Sequence, residues 1–190
     1  MTYQDISIGI IALIISCSGL LINLMKQGRR EAILLEKDGM TLSIFRWVIP
    51  AVLLISICVY VIGWGHYRRS PILLYTGYGL VAAGLGIRWL AVAALGAAFT
   101  VKVSILRDHA LKTKGMYRLV RHPSYTGLLL YYIGLGLVMQ NWVCLLMLAA
   151  APALVVLTRI KLEEGVLTEH FGQAYKSYTD KTWKLLPYIF

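Results

Sequence analysis

The string Arg121-His122-Pro123-Ser124-Tyr125 stands where a stretch rich in lysine and arginine gives way to an apolar run. It reads as the start of a helix. Proline is tolerated in a first turn, where its missing N–H has no partner to lose, and the free backbone donors of such a start attract anionic or polar ligand groups. His122 and Tyr125 would flank that start; read as plain structure, the same string is a proline-initiated span with an interfacial tyrosine and a basic anchor. A second constellation, Arg159, Glu163 and Glu164, closes the last apolar run. Arg159 and Glu163 are four residues apart and share a helix face, so if exposed they form an ion pair worth about 0.2–0.5 kcal/mol. At the inner edge of a membrane span, ionisable groups are costly unless they face a cavity or a ligand, and there a cation beside a carboxylate suits a zwitterionic ligand. Arg88, followed by Trp89, lies well inside a third apolar run and requires a partner, either a structural one or a substrate.

The elements that must position these groups are apolar helices. The 190 residues are 58% hydrophobic with a mean hydropathy of +0.69, above any ordinary soluble composition. A span needs about 20 mainly apolar residues, which Ile6–Met25, Trp47–Trp64 and Pro71–Leu95 supply. From Pro123 to Thr158 the chain is apolar except at Gln140-Asn141, which marks the tip of a helical hairpin with Tyr125–Met139 and Trp142–Thr158 as arms. The expectation is an all-α, polytopic membrane protein of about five transmembrane helices with a cytoplasmic cofactor pocket. Residues 1–98 form a three-helix region and residues 99–190 a connector, hairpin and amphipathic helix, together one domain. That last helix is expected to run through Ile160–Tyr178, with Val166, Leu167, Phe171, Tyr175 and Tyr178 at helical spacing, weakened by Gly165 and Gly172.

Loop charge sets the orientation. Lys26, Arg29, Arg30, Lys37 and Arg46 in the first connection, Lys102, Arg107, Lys112, Lys114, Arg118 and Arg121 in the third, and Arg159, Lys161, Lys176, Lys181 and Lys184 near the C-terminus are expected to be cytoplasmic. The N-terminus is then outside; Arg68 and Arg69 run against the rule but are outnumbered. The formal net charge of +10 is therefore assigned to membrane lipids and topology, not to nucleic acid. Because the first apolar run follows Asp5 and not a basic segment, it reads as a retained helix. Cys17, Cys58 and Cys144 stand singly in apolar runs, without disulfide or zinc spacing, and read as buried packing residues; no metal site is expected. There is no G-x-G-x-x-G loop after a strand, no P-loop and no H-E-x-x-H pair, which excludes a grafted Rossmann domain.

Taken in order, several strings resemble the isoprenylcysteine carboxyl methyltransferase family of membrane enzymes that use S-adenosylmethionine. They are Phe99-Thr100-Val101-Lys102, the run His109-Ala110-Leu111-Lys112-Thr113-Lys114-Gly115-Met116-Tyr117, and Arg121 to Gly127. Beyond the hairpin come Arg159-Ile160-Lys161-Leu162-Glu163-Glu164, Phe171-Gly172-Gln173-Ala174-Tyr175 and Leu185-Leu186-Pro187, with Arg88-Trp89 a weaker echo. The resemblance implies that His109, Leu111, Tyr117, His122, Tyr125 and Glu163 hold S-adenosylmethionine, with Lys102, Ala110, Lys112, Pro123 and Ser124 beside them. It also implies that Arg159 is the catalytic residue that faces a substrate carboxylate, and Arg88 a further substrate contact. Lys112, where an apolar residue is expected, and Gly165, where an acidic or bulky one is, depart from the pattern and leave substrate identity open.

The implied reaction is methyl transfer to a lipophilic acceptor, first of all the carboxylate of a prenylcysteine-like or isoprenoid substrate. A carboxylate, with a reference pKa of about 3.5–4, is already ionised and needs no general base. An amine acceptor, as in phospholipid N-methyltransferases, would need one from Glu163, Glu164 or His122. An NADPH-dependent sterol-type reductase and a non-catalytic membrane scaffold are the remaining alternatives.

Overall fold

The computed structural model describes residues 3–26, 33–36, 41–96, 104–106 and 111–189. Helices α1 (Tyr3–Lys26), α2 (Thr41–Ile62), α3 (Pro71–Leu95), α4 (Pro123–Met139) and α5 (Trp142–Phe171) form the bundle. A short helix, α6 (Gln173–Thr179), follows, and a 3-10 turn (Gly115–Arg118) precedes α4. Four of these helices, α1, α2, α3 and α5, are long and apolar enough to cross a membrane, whereas α4 has only 17 residues. At 1.5 Å per residue α4 measures about 26 Å, slightly under a hydrocarbon core of about 30 Å. The sequence did not suggest the two short strands β1 (Ile33–Glu36) and β2 (Ser104–Leu106), which pair antiparallel and tie the first connection to the third.

The tightest packing is between α3 and α4, and small residues make it possible. A Cβ on Gly84 would lie 2.6 Å from the carbonyl oxygen of Gly127, and one on Gly134 would lie 2.7 Å from that of Gly77. Pairs of glycines seven residues apart on each helix thus let the two backbones touch, the close approach by which helices associate where lipid offers no hydrophobic drive. Around this seam Leu128, Leu135, Val138, Leu148, Val156 and Ile160 are almost completely buried. The outward faces of α1 and α2 remain apolar and exposed, as lipid-facing surfaces are: Leu13, Leu20, Leu54 and Val61 are examples. Cys17 and Cys58 belong to these exposed faces, so only Cys144 is the buried packing residue the sequence suggested. The reason is rotational: in an all-apolar helix, composition does not say which face meets lipid.

The hairpin turns where expected. Gln140 ends α4 in the left-handed region at φ 50°, and the Asn141 side chain caps α5 by accepting from the Cys144 N–H at 3.1 Å. The helix expected over Ile160–Tyr178 is instead broken: α5 ends at Gly172, whose φ of +53° is a conformation glycine tolerates, and α6 starts afresh.

Candidate active site

Pro123 occupies the first turn of α4 with His122 as the capping residue, so the local sequence starts the helix as its composition implies. What fixes the start in space is the C-terminal segment. Arg121 N–H donates to the Trp183 carbonyl (2.8 Å), Trp183 N–H to that of Leu119 (2.9 Å) and His122 N–H to that of Lys184 (3.1 Å). The Thr126 hydroxyl donates to the Leu185 carbonyl at 2.6 Å, extending the strap one turn into α4. Arg121 adds a side-chain clamp, donating through Nη1 to the carbonyls of Thr179 and Thr182.

The end of α5 lies alongside, and its two adjacent carboxylates meet different company. Glu164 accepts from Arg121 Nε at 2.9 Å and pairs with Lys184 Nζ at 3.5 Å, while His122 Nε2 lies 3.3 Å from its Oε1. Glu163, 35% exposed in its side chain, accepts from the Tyr125 hydroxyl at 3.2 Å and has His122 Nδ1 at 3.9 Å. His122, almost fully buried, thus stands between the two carboxylates and stacks on the Tyr125 ring with centroids 5.8 Å apart. Arg159, 4% exposed, donates from Nε to the Tyr125 hydroxyl (3.3 Å), and its guanidinium lies 5.5 Å over the Phe45 ring of α2. The pair sharing one helix face is therefore joined through Tyr125, whose hydroxyl accepts from Arg159 and donates to Glu163.

Tyr117, in the 3-10 turn, is buried beneath this layer; its hydroxyl donates to the Ala91 carbonyl of α3 (3.2 Å), and its own carbonyl accepts from the Tyr178 hydroxyl (2.6 Å). Burial pushes the Tyr178 phenol up to about 12, and pushes those of Tyr117 and Tyr175 up as well, so all three remain neutral at physiological pH. Arg88 finds its partner on α4: Nη1 donates to the Ser124 carbonyl and side-chain oxygen, both at 3.3 Å, while its buried Nε has no partner among the described residues. Leu111 is half-buried and Lys112 exposed. Lys102, His109 and Ala110 lie outside the described residues. Sequence reasoning used Arg121 and Lys184 only as loop charge and basic anchor and gave Phe45 no role; the signal for the first two was a pair of adjacent carboxylates, which needed cations from elsewhere in the chain.

Residues 77–169 match the model of the isoprenylcysteine carboxyl methyltransferase (ICMT) family, a segment that runs from the α3 seam through Arg88 and the start of α4 to the two glutamates. The match covers just under half of the chain. A probable protein-S-isoprenylcysteine O-methyltransferase of Oryza sativa is 34% identical over 117 residues, covering 60% of this chain and 61% of the relative. Protein-S-isoprenylcysteine O-methyltransferase A of Arabidopsis thaliana is 32% identical over 118 residues, 60% of each chain. The Dictyostelium discoideum protein-S-isoprenylcysteine O-methyltransferase is 30% identical over 141 residues, 72% of this chain and 60% of its own. Among solved structures, the eukaryotic intramembrane Ras methyltransferase isoprenylcysteine carboxyl methyltransferase superposes with a TM-score of 0.58 at 27% identity, over 80% of this chain and 50% of that one. The chain thus spans about three fifths of the length of those curated relatives and half of the solved neighbour. With its apolar helices, the likeness makes it an integral membrane protein of the same fold. The likeness to this family points to a methyl donor, and the matches give no support to the N-methyltransferase, reductase or scaffold readings.

Proposed function

We propose that this protein is a member of the ICMT family and an S-adenosylmethionine-dependent carboxyl O-methyltransferase whose acceptor is the carboxylate of a prenylcysteine-like or isoprenoid lipid. The observation that carries the reading is the continuous polar layer of Glu163, Tyr125 and Arg159 at the buried start of α4, with His122 beside it. The donor set fits the cofactor. Glu163 is a partly exposed carboxylate without a lysine or arginine partner among the described residues, suited to an ammonium or to the electrostatics of a sulfonium. Around it, His122, Tyr125 and Tyr117 offer ring faces and neutral polar atoms, with Leu111, Pro123 and Ser124 alongside. Lys102, His109, Ala110 and Lys112 complete the proposed set by family resemblance. When bound, S-adenosylmethionine supplies an electrophilic methyl group.

The protein's own share of the chemistry is positioning and exclusion of water. Arg159 is buried, fixed between Phe45 and Tyr125, and always charged, which suits it to orient an acceptor carboxylate with its lone pair forward. No base is required, since that carboxylate is ionised at neutral pH. Arg88, with Nε unengaged, is proposed as a second contact to the acceptor. Charge in the loops supports a cytoplasmic location for this end and for the C-terminus, with the N-terminus on the other side. The cofactor then enters from water and the lipid acceptor sideways from the bilayer.

The test is cofactor binding and methyl-ester formation by purified protein with a farnesylated cysteine bearing a free carboxylate. Glu163→Gln should weaken S-adenosylmethionine binding roughly tenfold, as loss of a charge-assisted contact does. Arg159→Lys should leave that binding within about twofold but lower turnover by about 100-fold, since an ammonium lacks the planar fork. Wild-type protein that neither binds the cofactor nor esterifies the acceptor refutes the reading.

A further inference from the structure

The end of the bundle remote from Glu163 carries a polar cavity. Its volume is about 290 Å³, and it is lined by Gln4 at the start of α1, Tyr60 near the end of α2, His66, Tyr67 and Arg69 in the α2–α3 connection, and Gln140 at the hairpin tip. Several of its polar groups already direct a donor inward. Gln4 Nε2 donates to the Val138 carbonyl (2.8 Å), Gln140 Nε2 to that of Ser70 (2.9 Å), and the Tyr60 hydroxyl to Asp5 Oδ1 (2.8 Å). What these residues retain is acceptor oxygen.

Two of the lining groups are unmet. Gln140 is only 3% exposed, yet its Oε1 has no hydrogen-bond partner among the described residues, and neither has the buried Tyr67 hydroxyl. A buried polar atom left without a partner costs about 1–3 kcal/mol, so two on one cavity call for a ligand that donates to them. Arg69, exposed at the rim, supplies the opposite requirement, a cation for an anionic group. Acceptors on the floor with the Asp5 carboxylate behind Tyr60, and a guanidinium at the mouth, are the complement of a zwitterion that leads with its ammonium. Exposed Trp64 and Trp142 stand at this same end, at the depth where amphipathic rings meet lipid headgroups.

We propose that this cavity binds the headgroup of a phospholipid bearing a primary ammonium. The –NH3⁺ donates to Gln140 Oε1 and Tyr67 Oη, and the phosphodiester lies against Arg69. A quaternary ammonium has no N–H to donate, so the site selects against choline headgroups. The full length of α4 separates it from the methyltransfer site, and the proposal stands whatever that site's substrate is.

The experiment offers phosphatidylethanolamine, phosphatidylcholine and water-soluble phosphoethanolamine separately to the purified full-length chain in detergent and reads bound ligand by native mass spectrometry. Expected is roughly tenfold greater retention of phosphatidylethanolamine than of phosphatidylcholine, reduced about 3–10-fold by Tyr67→Phe and by Arg69→Gln. Both substitutions leave the backbone of the turn untouched, unlike changes at Gln140, and a thermal melt within about 2 °C of wild type confirms that the fold is kept. Equal retention of the two lipids overturns the proposal, as does retention indifferent to both substitutions. If phosphoethanolamine binds as well as the lipid, the headgroup chemistry stands and the bilayer is overturned as its source.

Discussion

The two ends of α4 solve the same problem in opposite ways. Each places polar residues where an apolar bundle meets the membrane boundary. At the C-terminal end, Gln140 and Asn141 are buried by backbone-like bonding: Asn141 Nδ2 donates to the Trp64 carbonyl (2.7 Å), Trp142 N–H to that of Gly65 (2.9 Å) and Tyr67 N–H to that of Gln140 (3.3 Å). Asn141 and the backbone of the tip are closed by neutral groups, while Gln140 Oε1 has no partner among the described residues. At the N-terminal end the polar layer is charged and unevenly satisfied, since Glu164 is surrounded by Arg121, His122 and Lys184 while among the described residues Glu163 meets only a phenol and the far side of an imidazole. Neutral amides can be locked without excess charge, which suits a structural turn; a carboxylate left without a strong cation keeps its charge available to something that binds.

The sharpest way to break this comparison is through the seam both ends depend on. A Cβ on Gly127 would sit 2.5 Å from the Gly84 carbonyl oxygen and 2.7 Å from the Arg88 backbone nitrogen, contacts that only a shift of one helix relieves. Gly127→Val should therefore cost about 3 kcal/mol or more in stability, read as a lowered thermal midpoint in detergent. Gly134→Val, one heptad toward the tip, should cost a similar amount. A neutral outcome for either would show that the helices do not rely on glycine contact.

Next in size is the contrast between the glutamates. Glu164→Gln removes the charge that Arg121 and Lys184 share, with side chains 11% and 27% exposed, and should lose about 2 kcal/mol, since the partly buried Arg121 guanidinium then loses the carboxylate it donates to. Glu163→Gln should change stability by less than about 0.5 kcal/mol while weakening the methyl donor's binding. Equal stability losses in chemical denaturation would mean that Glu163 is as structural as its neighbour.

These differences mark how much could be read in advance. The apolar runs were legible because a membrane span is a compositional signal, and the start of α4 because proline and histidine at a charge boundary admit few conformations. The break at Gly172 was half legible: glycine weakened the helix at two positions, but only tertiary packing decides that Gly172 and not Gly165 takes the left-handed turn. The strap from Thr182 to Leu185 was not legible. Its pairing with Leu119–His122 is backbone to backbone across some sixty residues, and such bonds leave no side-chain pattern. For the same reason Arg121 and Lys184 could not be assigned to Glu164, although the resemblance had brought His122, Tyr125, Arg159 and Glu163 together.

The last contrast lies within the tip. Asn141 has no exposed surface and does two jobs, accepting from the Cys144 N–H as a helix cap and donating to the Trp64 carbonyl. Asn141→Ala abolishes both and should cost about 2 kcal/mol; Asn141→Ser keeps a capping oxygen but is too short for Trp64 and should cost about 1 kcal/mol. Denaturation of the two variants separates capping from the cross-link to the α2–α3 connection. Because the tip bonds only neutral groups, neither change should alter methyl transfer at saturating substrate. An Asn141→Ser variant as stable as wild type would reduce the tip to an ordinary helix cap, and would show that the α2–α3 connection is held there by the backbone bonds of Tyr67 and Trp142 and by Gln140 Nε2 on the Ser70 carbonyl.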